Sequence, residues 1–206
     1  TTGSMLDQMK YNLKNTGSFS GSYVGGWNTG YSGNKPNGVN GYMDTGLIPS
    51  TSLALNSTHL GVYLRSNIDG LKSDISVIQD SVSSARDQLN IYPRYSNQSY
   101  YRVYDDSNST VSNTNSQGLY LANRVSSLET RNYKNTTLAI KTATVGTHNT
   151  SKIIVGAGGT LSGTPNAFSD RENALATIGD GLTDYEAKAL YWIVQKYQTT
   201  LGRQVY

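Results

Sequence analysis

The stretch that decides the fold spans residues 177–206 and reads TIGDGLTDYEAKALYWIVQKYQTTLGRQVY. Thr183, with Glu186 three residues later, forms a capping box, in which each side chain satisfies a backbone donor left free by the first helical turn. A helix is therefore predicted to begin at Asp184, and Gly202 supplies its C-terminal stop. The apolar residues that repeat every three or four positions along one side are Ala187, Leu190, Val194, Tyr197 and Leu201. The pattern predicts one helix over about 184–201.

The opposite side of this helix also carries apolar residues, two of them aromatic. Tyr185, Ala189 and Trp192 fall there, so the helix is either buried on both sides or contacts a partner. These three residues are the candidates for an interface.

The rest of the chain has the sequence pattern of short strands joined by polar turns. Leu60, Val62 and Leu64 alternate with polar or small residues, which is typical of a strand with one buried face. Leu71–Leu89 fits either a helix or strands, and the context favours strands. Other strands are predicted at Ser18–Trp27, Val39–Thr45, Leu53–Arg65, Asn90–Tyr95, Tyr100–Asp105, Gly118–Val125, Asn132–Thr144 and Lys152–Gly156. About ten strands at this spacing indicate an all-β, two-sheet antiparallel sandwich.

Composition narrows the class of protein. The net charge of the chain, +3, is small, and the basic residues are scattered along the sequence. We therefore expect no nucleic-acid partner. No apolar run reaches the roughly 20 residues of a membrane span, and we expect no membrane partner. The chain has no cysteine, which excludes disulfides and thiolate metal sites. We expect residues 1–10 to be a lead-in from a longer chain and residues 11–206 to form one domain.

The choice of polar residues is unusual. Charged residues make up 15% of the chain, and 16 tyrosines stand against 2 phenylalanines. Uncharged polar residues with tyrosine suit an exposed β surface, as in extracellular binding modules and virion proteins.

Several blocks of the sequence resemble a domain of bacteriophage structural proteins that belongs to the concanavalin A-like (LamG-like) lectin and glucanase superfamily. The resemblance runs from about Tyr11 to Val205. It implies a jelly-roll sandwich with a C-terminal helix and a place on the virion surface, in a tail or head fibre. The blocks are Pro36-Asn-Gly-Val-Asn-Gly-Tyr42 with Asp44-Thr45, Gly118-Leu-Tyr-Leu-Ala-Asn-Arg124, Phe168-Ser-Asp-Arg171, Ile178-Gly-Asp-Gly-Leu182 and Thr200-Leu-Gly-Arg-Gln-Val205.

Catalytic patterns are sparse. A retaining glucanase needs two carboxylates close together, yet the three glutamates, at 129, 172 and 186, form no cluster. We therefore predict no enzyme, no cofactor and no metal. Two groups of residues stay open as alternatives for a glycan depolymerase. One is the set of aspartates Asp44, Asp105 and Asp106, and the other is the lyase-like set His59, Tyr63 and Arg65. Asp105, Asp106 and Asn108 also offer oxygens to Ca²⁺, but a plain turn is the favoured interpretation.

Carbohydrate binding requires aromatic faces that stack on sugar rings beside amides and carboxylates that pair with hydroxyl groups. The leading hypothesis is a virion domain that binds host-surface carbohydrate. The alternative is an assembly domain that contacts other virion proteins or forms a homo-oligomer, with a trimer favoured. The candidate carbohydrate-binding residues are Trp27, Tyr31, Asn34, Tyr95, Asn97, Tyr100, Tyr101, Tyr104 and Asp105.

Overall fold

Two antiparallel seven-stranded sheets pack face to face in the computed structural model, which describes residues 10–78, 85–159 and 163–205. The predicted all-β jelly-roll sandwich with one C-terminal α-helix is confirmed. The expected lead-in, residues 1–10, lies outside the described residues except for Lys10. In the described ranges no helix has the length and apolar character needed to cross a membrane.

Sheet A forms one layer of the sandwich. Its strands, in spatial order, are β1 (Ser22–Val24), β4 (Tyr42–Asp44), β13 (Ile153–Val155), β6 (Ile75–Val77), β7 (Leu89–Tyr95), β8 (Gln98–Val103) and β9 (Ser109–Ser112). A two-stranded hairpin, β14 (Gly158–Gly159) with β15 (Pro165–Asn166), lies against β6.

Sheet B forms the other layer. Its strands, in spatial order, are β12 (Thr137–Thr142), β11 (Glu129–Lys134), β10 (Gly118–Ser126), β5 (Thr58–Leu64), β16 (Asn173–Gly179), β3 (Gly33–Pro36) and β2 (Trp27–Gly30). The helical segments are a single turn, α1 (Pro49–Ser52), a 3₁₀ turn (Ala85–Asp87) and the long C-terminal helix α2 (Asp184–Thr200).

The main core lies between the two sheets. Although the other face of β5 is buried as well, against the expectation of a strand with one buried face, the alternation predicted for Leu60, Val62 and Leu64 is confirmed on the core face, because all three are fully buried there. They pack in one cluster with Ile91 and Val103 from sheet A. Burial of such side chains is the dominant stabilising term of the fold.

A second core lies between sheet B and α2. The outward residues Tyr63 and Leu121 of sheet B pack in one cluster with Ala187, Tyr191 and Val194 of the helix. Sheet B is therefore buried on both faces at its centre, and β5 is buried along its whole length.

The helix begins where its capping box predicts. Thr183 Oγ1 accepts from the Glu186 amide at 3.3 Å, and Glu186 Oε2 accepts from the Thr183 amide at 2.9 Å. The predicted apolar stripe is wrong in its C-terminal half, since Tyr197 and Leu201 are 44% and 47% exposed.

The buried face of α2 instead carries two glutamines. Tyr63 Oη donates to Gln195 Oε1 at 3.3 Å, and Arg203 Nε donates to Gln198 Oε1 at 3.0 Å. These hydrogen bonds compensate part of the cost of burying polar side chains on this face.

Several strand predictions need correction. Asn132–Thr144 was predicted as one strand, but it is the β11–β12 hairpin, turned at Asn135 with φ of 55°. β3, β9 and β16 were not predicted because their sequences are polar or rich in glycine and alanine. Their backbone pairing is supplied by neighbouring strands. Of Leu71–Leu89, residues 75–77 form the expected strand, and 79–84 lie outside the described residues.

A buried ion pair ties the loop before β6 to the segment before β16. Arg171 Nη1 lies 2.7 Å from Asp74 Oδ2, and both side chains are fully buried. Arg171 also donates to three backbone oxygens at 2.7–3.0 Å, those of Ile68, Lys72 and Arg94. One guanidinium group therefore holds the loop after β5 and the end of β7 in place.

We predict that Arg171→Met lowers the free energy of unfolding by about 3–5 kcal/mol, because it leaves a buried carboxylate without its partner. Urea unfolding measures this loss. The matched control is Lys152→Met, which removes a surface pair with Asp44 and costs at most about 1 kcal/mol. Equal unfolding midpoints for the two variants would contradict the structural role of Arg171.

Candidate functional site

In the described part of the chain, α2 covers the outer face of sheet B, whereas the outer face of sheet A is partly exposed along β8 and β9. Along β7 and β8 the side chains alternate between the core and this face. The outward cross-strand pairs are Tyr92 with Tyr100 and Asn90 with Arg102. A row of polar and aromatic side chains therefore lies on this face, with Tyr92, Tyr100 and Arg102 partly exposed and Asn90 buried.

Two tyrosines stack at one end of this row. The pairing register of β7 and β8 shifts between Tyr92 and Tyr95, and such a bulge re-aims the side chains that follow it. The rings of Tyr95 and Tyr100 lie 6.0 Å apart between centroids at 42°. Tyr95 is 39% exposed, and Tyr100 Oη donates to Gln98 Oε1 at 2.9 Å. We call Tyr95 and Tyr100 the tyrosine platform.

A rigid hairpin turn supports the platform. Ser96 and Asn97 both have positive φ, 50° and 57°, which is the geometry of a type I′ turn. Arg94 Nη2 donates to Asn97 Oδ1 at 2.7 Å, and its Nη1 donates to Asn67 Oδ1 at 2.9 Å. The exposed end of the hairpin is therefore fixed by side-chain hydrogen bonds.

A small cavity lies next to Tyr92, the residue that pairs with Tyr100 across the two strands. We call it the polar pocket. It measures about 40 Å³, room for about three water molecules. Asn90 is 8% exposed, and its Oδ1 has no hydrogen-bond partner among the described residues. Such a buried acceptor is costly unless water or a ligand donates to it. The residues that line the pocket are Ser76, Val77, Gln88, Leu89, Asn90, Tyr92 and Gly159.

Arg102 does not line the pocket itself, but it contacts Gln88 and lies opposite Asn90, both of which do. It is partly buried, and its Nη1 donates to Gln88 Oε1. Burial lowers the pKa of Arg102, opposed mainly by the negative charge of Asp105. Burial likewise raises the pKa of Tyr92, opposed by the positive charge of Arg102. A cation, an amide and a phenol hydroxyl therefore converge where the tyrosine platform ends.

The structure brings only some of the predicted residues together. Tyr95, Asn97 and Tyr100 share one hairpin, as described above. Trp27 lies elsewhere, edge-on to Tyr23 at 4.8 Å, with its Nε1 donating to the Val24 carbonyl at 3.0 Å. Asn34 is 5% exposed and donates to Tyr23 Oη at 2.6 Å, whereas Tyr31 is 92% exposed at the β2–β3 turn.

Besides Asn34, three predicted residues are buried, and all four leave the set of candidates. Tyr101 and Tyr104 are 2% and 0% exposed within the main core, so neither ring is available to a sugar. Asp105 is 1% exposed, pairs with Lys141 and accepts from Thr144 Oγ1 at 3.0 Å. With only two phenylalanines in the chain, tyrosines fill core positions that the sequence did not distinguish from surface ones.

Most members of the two groups of possible catalytic residues are engaged in other contacts. Asp44 pairs with Lys152 at 2.7 Å, and the Asp105 carboxylate forms an ion pair with Lys141. In the described part of the chain, no three acidic or histidine side chains cluster as metal ligands. Tyr63 lies in the core beneath α2, and Arg65 pairs with Glu172 at 3.0 Å.

His59, the remaining member of the lyase-like set, is 7% exposed. Its Nδ1 donates to the Asp180 carbonyl at 2.6 Å, which leaves Nε2 to accept from Thr177 Oγ1 at 3.0 Å. Burial lowers the pKa of His59, and the bond to Asp180 opposes this effect. The side chain is a structural link between β5 and β16, with both nitrogens occupied.

Sequence reasoning missed Asn90, Tyr92 and Arg102. Their signal was present, because positions 90 and 92 and positions 100 and 102 alternate with the apolar core residues of the same strands. The interface candidates on α2 do face outward: Tyr185 is 82% exposed and Trp192 63%. Ala189 between them is half-buried, and Ile193, which was not predicted, joins them at 65% exposure.

Comparison with known proteins gives matches in structure alone. No family model matches the chain, and no curated protein sequence matches it. A mutant of Trypanosoma rangeli sialidase displaying trans-sialidase activity superposes with a TM-score of 0.62 at 11% identity, over 88% of this chain. The NanB sialidase from Streptococcus pneumoniae, as its K499G mutant, gives 0.57 at 13% identity over 80% of this chain.

This chain spans only 30% and 27% of those two sialidase chains. Domain 4 of AbnA, a GH43 extracellular arabinanase from Geobacillus stearothermophilus, gives a TM-score of 0.53 at 13% identity. That match covers 84% of this chain and 88% of the arabinanase domain. At these identities the matches establish the β-sandwich fold, which is compatible with a concanavalin A-like jelly roll.

We predict that His59 makes the fold sensitive to acid. Its folded pKa lies below the ordinary value of 6.5, so the unfolded chain binds the proton more readily. Stability is therefore retained above pH 6.5 and falls below it, by up to about 1.4 kcal/mol per pH unit. Urea unfolding between pH 7.5 and 5 should show this slope flattened in His59→Gln and kept in His148→Gln. Parallel curves for wild type and His59→Gln would contradict the prediction.

Proposed function

We propose that this chain is a non-enzymatic carbohydrate-binding domain whose site is the open face of sheet A. The observation that carries the proposal is the tyrosine platform beside the polar pocket. Aromatic faces stack on the apolar side of a sugar ring, and nearby amides and cations pair with its hydroxyl groups. Here Tyr100 lies opposite Tyr92, two residues along β7 from Asn90, whose amide oxygen has no partner among the described residues.

Two further observations support the proposal. One of the structural neighbours, the arabinanase domain, is described in complex with arabinotriose. The three glutamates of the chain are all engaged elsewhere: Glu129 with Arg131, Glu172 with Arg65, and Glu186 in the capping box. No pair of free glutamates remains for hydrolysis of a glycosidic bond.

The resemblance of the sequence blocks to bacteriophage structural proteins supports a location on the virion surface, in a tail or head fibre. There the domain would attach the particle to carbohydrate on the host surface. The arginines of the resembling sequence blocks, Arg124, Arg171 and Arg203, are all buried. The resemblance therefore concerns residues that support the fold, and we assign ligand binding to residues on the outer face of sheet A.

A second function is favoured by the outer face of α2. We define this helix face as Tyr185, Ala189, Trp192 and Ile193, three of which are more than 60% exposed. Large exposed apolar side chains on one surface mark an interaction site. This face would contact another virion protein or further copies of the same chain, in a trimer.

We predict that Tyr100→Ala weakens binding of an oligosaccharide about 3- to 10-fold, the value of one aromatic contact. The probe is the strongest-binding oligosaccharide from an array of bacterial and animal glycans, and titration calorimetry measures its affinity. Tyr31→Ala is the matched control, because it removes an exposed tyrosine on a different hairpin. An array without binding, or equal losses for the two variants, would refute the site.

We predict that Trp192→Asp shifts a self-associating domain towards monomer, at a cost of ~2 kcal/mol or more per contact. Light scattering at several protein concentrations measures the mass. Val39→Asp makes the same change at a residue that is 71% exposed elsewhere on the surface, and it should leave the mass unchanged. A mass that Trp192→Asp does not alter would exclude self-association through the helix face.

A further inference from the structure

Arg102 stands apart from the fully buried arginines in how its charge is satisfied. Arg171 pairs with Asp74, and Arg124 donates to the backbone oxygens of Val103, Tyr104, Ser127 and Thr144. Arg102, by contrast, makes one hydrogen bond, from Nη1 to the neutral side chain of Gln88, and no ion pair within the described ranges. A partly buried cation with so few partners has lost hydration without full compensation.

The nearby carboxylates do not neutralise it. The charges of Asp105 and Asp106 act on Arg102 only through space. Asp105 itself is held by Lys141 and by Thr144 on the other side of the strand end. Arg102 Nε is buried without a partner, while its Nη2, which also has none, keeps contact with solvent. The guanidinium group therefore offers a free donor towards the open face of sheet A.

Asn90 lies opposite Arg102 in the register of β7 and β8. Its unpaired Oδ1 needs a donor such as a hydroxyl group, while Arg102 needs an acceptor, best a charged one. A sugar that carries a carboxylate supplies both. Tyr100 is two residues from Arg102 along β8, or about 7 Å, so a ring stacked on the tyrosine platform lies next to this cation.

We propose that the ligand is an acidic glycan, whose carboxylate or sulfate group pairs with Arg102 and whose hydroxyl groups bond to Asn90. This inference rests on the carbohydrate-binding function proposed above, and it names the class of sugar. The small size of the polar pocket, about 40 Å³, admits a substituent of a sugar, while the ring itself stays on the platform.

The test compares acidic oligosaccharides with their neutral counterparts by titration calorimetry on the whole chain. The pairs are a galacturonate trisaccharide against a galactose trisaccharide, sialyllactose against lactose, and sulfated lactose against lactose. At least one acidic member should bind about tenfold or more tightly than its neutral partner, as charge-assisted hydrogen bonds provide. This preference should shrink as the salt concentration rises.

Two variants test the residues. Arg102→Gln should bring the affinity for the acidic sugar to within about twofold of the neutral one. Asn90→Asp should do the same, because it places an internal carboxylate beside Arg102 that competes with the ligand. Lys35→Gln removes an equal charge from an exposed position on β3 and should preserve the preference. Thermal unfolding confirms that each variant is folded.

The outcomes separate the two proposals. Equal affinity for acidic and neutral sugars overturns the acidic ligand and leaves carbohydrate binding intact. A preference for acidic sugars that survives both Arg102→Gln and Asn90→Asp overturns the assignment to this pocket. Absence of binding to every sugar overturns both proposals.

Discussion

The buried pair between Arg171 and Asp74 is the interaction on which the rest of the structure depends. Asp74 accepts from Ser169 Oγ and Arg171 Nη1, both at 2.7 Å, and Arg171 holds the carbonyl of Arg94 at 2.7 Å. The Arg94 side chain in turn fixes the turn between β7 and β8. The same cross-link that closes the core therefore positions the hairpin that carries the tyrosine platform.

A second constraint decides which surface is available. The centre of sheet B lies between the main core on one side and α2 on the other, so β5 and β10 are buried at nearly every position. In the described ranges, sheet A is less covered along β8 and β9, where Tyr100, Arg102 and Thr110 remain in contact with solvent. The helix thus has two structural effects: it completes a core, and it leaves one sheet face for a ligand.

Local rules made much of this fold predictable from the sequence. The capping box, the stop at Gly202 and the alternation in β5 all depend on neighbours within a few residues, and all are confirmed. β16 escaped prediction because its partner β5 is distant in sequence, and β9 because its own sequence is polar. The rotation of α2 onto Gln195 and Gln198 depends on Tyr63 and Arg203, and no local pattern reveals such pairing.

The residues of the candidate site likewise divide into those that the sequence predicts and those that it does not. Turn chemistry and exposed aromatics suffice to find Tyr95, Asn97 and Tyr100. The burial of Tyr101, by contrast, follows from which face of β8 meets sheet B, and Tyr104 is buried just after β8, where the backbone takes a φ of 51°. A chain with 16 tyrosines gives no compositional clue to either. The sequence alone does not show that Arg102 and Asn90 are neighbours, because only the register of β7 and β8 places them side by side.

The central claim is that the open face of sheet A binds carbohydrate, and amide chemical-shift mapping tests it most directly. A ¹⁵N-labelled chain titrated with an acidic oligosaccharide should show saturable shifts that cluster on β7 and β8, around Tyr92, Tyr95, Tyr100 and Arg102. Shifts confined to α2 or to the β2–β3 hairpin, or no shifts at millimolar sugar, would contradict the account.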